Sequence, residues 1–129
     1  MLFGDTKSKA RGVVTVEGYF LPNGSGAIDA TSVVAPGVVS VAHAGATGKY
    51  TITFAEKYVR LLSAQFSTQR SADTWAHVTL GAVDVSGAKT IGLKVWEEEA
   101  GTVALADIAS NAANKVFFRF AFQTTQDLR

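Results

Sequence analysis

The feature that most limits what this chain can fold into is the two-residue alternation of its last stretch, residues 115–123 (KVFFRFAFQ). Val116, Phe118, Phe120 and Phe122 fall on one side, and Lys115, Phe117, Arg119 and Ala121 on the other. Successive side chains of a strand point to opposite faces, so this spacing describes a strand with one strongly apolar face. Phe117 and Ala121 make the second face partly apolar, which places the strand inside a sheet and not at its edge. The same period recurs at 49–54, where Tyr50, Ile52 and Phe54 alternate with Lys49, Thr51 and Thr53.

The remaining apolar segments read the same way. Val14 to Phe20 and Val38 to Ala42 are strand candidates, separated by the turn-forming stretches 21–26 (LPNGSG) and 35–37 (APG). Residues 55–60 read as a single helical turn. In 61–69, Leu62, Ala64 and Phe66 share a face. Ala76, Val78 and Leu80 oppose Trp75, His77 and Thr79, with a bend or bulge at Gly81. Ser86-Gly87 reads as a hairpin turn, after which Ile91, Leu93 and Val95 oppose Lys94 and Trp96. A further strand over 102–106 pairs back across Ala100-Gly101, and 107–114 is a loop or short helix. Seven to eight strands with short turns and no long amphipathic helix predict an all-β chain, an antiparallel β-sandwich or jelly-roll-like fold. No fixed repeat and no linker divides it.

Composition narrows the chemistry. The 129 residues suit one domain, and 47% hydrophobic content excludes a disordered chain. Twelve basic residues against eleven acidic ones, a net charge of +1, provide no general footprint for nucleic acid. Without cysteine there is no disulfide framework, thiolate metal site or cysteine nucleophile. No apolar stretch near the start resembles a signal peptide, and no run of about 18 apolar residues would span a membrane as a helix. The expected division is an N-terminal arm, 1–11, followed by one β domain, 12–129. The arm holds Lys7, Lys9 and Arg11 against Asp5, a local net charge of +2, with Leu2 and Phe3 at its tip.

Candidate motifs for catalysis fail on inspection. Residues 45–50 (GATGKY) lack the earlier glycine of a phosphate loop, which is His43 here, and carry Tyr50 where a Mg²⁺-binding hydroxyl belongs. Residues 24–29 (GSGAID) have Asp29 in place of the third glycine of a dinucleotide fingerprint. His43 and His77 would have to converge to bind a metal, as in a cupin-type enzyme, and the expected reading is two ordinary surface histidines. No cofactor is implied. Glu97-Glu98-Glu99 reads as a solvated strand end. Trp75 and Trp96 lie opposite their strands' aliphatic residues, near His77 and Lys94. They either pack within the fold or form a sugar-stacking or partner-binding surface.

One resemblance is carried by the residues themselves. The stretch 20–27 (FLPNGSGA) is followed by 38–45 (VVSVAHAG), 47–54 (TGKYTITF) and 58–64 (YVRLLSA). This order resembles small structural proteins of tailed bacteriophages, over about residues 18–70 and 115–124. The departure is at His43-Ala44, where such proteins carry a basic residue. The resemblance implies a virion component, a capsid decoration (cement) protein on the capsid exterior, made in the host cytoplasm. Its partner would be the major capsid protein, and its own state a homo-oligomer, trimer before dimer. It implies no catalytic residue and no direct contact with nucleic acid or membrane.

On that reading the partner contacts are Leu2, Phe3, Lys7, Lys9 and Arg11 in the arm, with Trp75 and Trp96. The alternatives are a tail or fibre component and a carbohydrate-binding β-sandwich using the two tryptophans.

Overall fold

The structure, a computed structural model, describes residues 6–7, 12–73 and 75–125. The described residues form ten strands: β1 (Thr6–Lys7), β2 (Val13–Phe20), β3 (Val33–Val34), β4 (Val38–His43), β5 (Lys49–Phe54), β6 (Arg60–Gln69), β7 (Ala76–Asp84), β8 (Thr90–Glu99), β9 (Thr102–Leu105) and β10 (Lys115–Gln123). The count exceeds the expected seven to eight because β1 and β3, two residues each, pair along one side of β2. Both are too short to show a period in sequence. A 3-10 turn at Ala30–Ser32 is capped by the Asp29 carboxylate, which accepts from the Thr31 amide.

All named pairings are antiparallel, and the strands build two packed sheets, an all-β sandwich. The first runs β1-β2-β10-β6, with β3 also beside β2. The second runs β4-β5-β8-β7, with β9 beside the far half of β8. The alternation at 115–123 predicts an interior strand, and β10 does lie between β2 and β6.

The core is where the two inner faces meet. Phe120 and Phe122 of β10 touch Phe54 of β5 edge to face, at centroid distances of 5.7 and 5.1 Å. Tyr58 stacks flat on Phe122 at 4.1 Å. Phe20, Ile52, Ile91, Val95 and Val116 are fully buried around them. Burying each phenylalanine stabilises the fold by about 2–3 kcal/mol relative to exposure.

Two local expectations are corrected. Residues 55–60 contain bends and the start of β6, with no helical turn, because the Tyr58 and Val59 amides are claimed by Val85 and Gln123 carbonyls. Leu62 does not share a face with Ala64 and Phe66. A bulge against β10 sets Phe122 opposite Leu61 and leaves Leu62 outward and 43% exposed. The irregularity anticipated at Gly81 is present, as a register shift between Leu80 and Val83. A Cβ at Gly81 would sit 3.0 Å from the Gly92 carbonyl oxygen, so a larger residue there requires the neighbouring strand to give by a few tenths of an ångström.

The loop after β9 closes one end of the sandwich. The Ile108 carbonyl accepts from the Gly24 amide, and Asn114 links Ser71 to Ala109 through its side-chain amide. This segment positions Asp107.

Candidate functional site

The outer face of the second sheet gathers the chemistry. Ile91, Leu93 and Val95 of β8 are buried, so Lys94, Trp96 and Glu98 point outward. Strand pairing sets three rows across the sheet. Lys49 and Thr79 flank Lys94, Leu105 and His77 flank Trp96, and Val103 lies beside Glu98. Trp75, just before β7, has its carbonyl bonded to the Glu98 amide and its ring stacked on His77 at 5.6 Å.

The two tryptophans differ in state. Trp96 is half-buried, and its indole Nε1 donates to Thr79 Oγ1 at 2.9 Å. That bond fixes the ring against the sheet. Trp75 is 49% exposed. It borders a groove of about 650 Å³ lined by Asp73, Glu97, Glu98 and Glu99. Glu97 turns inward from this rim to pair with Arg70, a contact that alternation along the strand allows but cannot specify.

Lys49 and Lys94 stand directly opposite each other. The Val95 amide donates to the Gly48 carbonyl at 2.7 Å, which makes that pair hydrogen-bonded. The adjacent Lys49–Lys94 pair is therefore of the closer, non-hydrogen-bonded type, with Cα atoms about 4.5 Å apart. Among the described residues, neither lysine joins an ion pair. Like charges so placed destabilise a sheet.

His43 is not the surface histidine the sequence suggested, since its side chain is only 9% exposed. Its Nε2 lies 2.8 Å from Asp107 Oδ1, and its Nδ1 accepts from the Gly45 amide at 3.2 Å. The Gly48 amide also donates to Asp107 Oδ1, at 2.7 Å. Nε2 thus ties the β4–β5 hairpin to the closing loop, and Nδ1 holds the hairpin's own turn. The Tyr50 ring meets His43 edge-on at 5.3 Å. Among the described residues, no group meets its buried hydroxyl in good hydrogen-bond geometry. Burial pushes its pKa up to about 12, the Asp107 charge adds to the shift, and the Ile108 backbone amide offsets part of it.

The two histidines do not converge. His43 ends β4 and faces inward, while His77 is on β7, at the opposite edge of the sheet, and faces outward. Among the described residues, no group of three or more potential ligands is placed to hold a metal ion.

The outer face of the first sheet also carries aromatic groups. Tyr19 and Phe117 are cross-strand partners with ring centroids 5.3 Å apart, and Lys115 Nζ sits 4.9 Å above the Tyr19 ring. A groove of about 480 Å³ beside them is lined by residues that include Glu17, Gln65 and Arg119.

Of the residues expected to contact partners, Trp75 and Trp96 lie on one face. Lys7 falls in β1 opposite Val14. Leu2, Phe3, Lys9 and Arg11 lie outside the described residues. The pairing of Lys49 with Lys94 and of His43 with Asp107 was not visible beforehand. Alternation shows which way Lys49 and Lys94 point, but not that their strands are neighbours.

These features define an all-β sandwich with aromatic residues on both outer faces. Comparison with family models, with curated proteins and with solved structures found no match.

Proposed function

We propose that this protein is a virion structural component of a tailed bacteriophage, a capsid decoration protein that binds the major capsid protein and reinforces the shell. The observation that carries this reading is the aromatic content of both outer faces, Tyr19 and Phe117 on one and Trp75 and Trp96 on the other. A two-layer sandwich needs only its inner faces apolar, and its outer faces are ordinarily polar. Side chains of this kind on both faces suit a protein covered by neighbours, such as a lattice or its own copies. The order of turns and strands over 20–27, 38–45, 47–54 and 58–64, which resembles that of phage structural proteins, supports the same reading. The role is mechanical and needs no catalytic residue, and repetition over a shell multiplies weak single contacts.

The test is co-purification with virions and the copy number found. A number comparable to that of the major capsid protein supports shell decoration. About a dozen copies or fewer would move the protein to the tail or fibre. Its absence from purified particles would end the virion reading.

A second reading, a carbohydrate-binding sandwich, is favoured by the Trp75 groove. An exposed indole stacks on a sugar ring, and the carboxylates of Asp73, Glu98 and Glu99 accept from its hydroxyls. Glycan binding that is lost on Trp75→Ala would select it.

A further inference from the structure

We infer that the outer face of the second sheet is the contact surface for a second copy of this chain, docked face to face about a two-fold axis at Trp96. Lys94, Trp96 and Glu98 are consecutive outward positions on β8, with opposite charges equally spaced on either side of the indole. Take an axis parallel to the sheet, running across the strands just above the outer face over Trp96. Half a turn about it reverses the strand direction and brings the two faces together. Lys94 then lies over Glu98 of the second copy, and Glu98 over its Lys94. That is the reciprocity an isologous interface requires. Under the same operation Thr79 faces Trp75 of the second copy, and Lys49 faces its Val103.

Two observations support this occupant. First, the Lys49–Lys94 pair carries two adjacent positive charges with no anion beside them among the described residues, and Glu98 of the second copy supplies one. Second, Trp75 and Val103, 49% and 53% exposed, flank Glu98 and would be covered. The centre would be aromatic and the flanks charged, the usual arrangement of an interface. The contact forms in the free protein, whether or not the chain belongs to a virion, and it favours a dimer over the trimer anticipated above.

Sedimentation velocity on the full chain tests this. The unaltered protein is expected to show a monomer–dimer equilibrium that weakens with salt. Lys94→Glu alone and Glu98→Lys alone should each weaken dimerisation about tenfold or more, since each sets like charges together twice. An equimolar mixture of the two variants should form a heterodimer, because every contact in it is then a lysine against a glutamate. If either reversal unfolds the chain, Lys94→Gln carries the same test with a smaller loss. A chain that stays monomeric at millimolar concentration overturns the inference. So does dimerisation indifferent to both reversals, or a mixture no more associated than its components. A monomer that binds a glutamate-rich peptide through Lys49 and Lys94 also overturns it, and assigns the face to a different partner.

Discussion

His43 Nε2 and Asp107 Oδ1, 64 residues apart in the chain, meet at 2.8 Å and tie the β4–β5 hairpin to the loop that closes the sandwich. The Asp107 carboxylate also accepts from the Gly48 amide. Replacing it orphans two donors at once. Asp107→Ala should cost about 2–3 kcal/mol, more than His43→Ala, as read from urea denaturation midpoints at neutral pH. Equal losses would mean that the Gly48 bond contributes nothing.

Tyr50→Phe should change stability by no more than about 1 kcal/mol, because the hydroxyl it removes is buried and, among the described residues, makes no hydrogen bond of good geometry. The pH dependence follows from the same burial. The folded-state pKa of about 12 exceeds the ordinary tyrosine value of 10.0, so the folded chain holds this proton more tightly. Its contribution is complete below pH 10 and is lost as the pH rises through 12. Denaturation at several pH values in that window should show a decline that Tyr50→Phe makes shallower.

Gly48 has φ +71°, and a Cβ there would stand 2.7 Å from the Val95 carbonyl oxygen and 2.9 Å from the Ala106 amide. Gly48→Ala should therefore destabilise by well over about 1 kcal/mol. Gly45 has φ +81° but open space around its Cβ position. Gly45→Ala should lose only the conformational part. Thermal melts of the two variants separate strain from clash, and matching losses would remove the steric account.

Phe120 is fully buried against Phe54, Phe66, Phe118 and Phe122. Phe120→Ala should cost about 3–5 kcal/mol in a denaturant titration. Leu62→Ala, on the outward side of the bulge, should cost less than about 1 kcal/mol.

Trp75 and Trp96 should separate binding from stability. Trp75→Ala exposes no core, and its stability should stay within about 1 kcal/mol while self-association in sedimentation velocity weakens. Trp96→Phe removes the bond to Thr79 and should cost about 1 kcal/mol. Self-association unaffected by Trp75→Ala would take that residue out of the contact surface.

The all-β class and most strand positions were legible because side-chain direction in a strand repeats every two residues, as at 49–54 and 115–123. Leu62 escaped that reading. One extra residue in β6 inverts the face of everything beyond it, and no local pattern marks where a bulge falls. The short strands β1 and β3 escaped because two residues hold no period.

What the sequence determined by itself was therefore which residues could point inward together. Burial of apolar side chains depends on composition and spacing, both of which are local. Which strands lie side by side was decided only by tertiary structure. Backbone hydrogen bonds between strands are the same for any pair of residues and carry no sequence label. That choice set Lys49 against Lys94, brought Asp107 to His43, and put Trp96 midway between a lysine and a glutamate on an open face. The alternation named those side chains as outward or inward, and the pairing of strands made a surface of them.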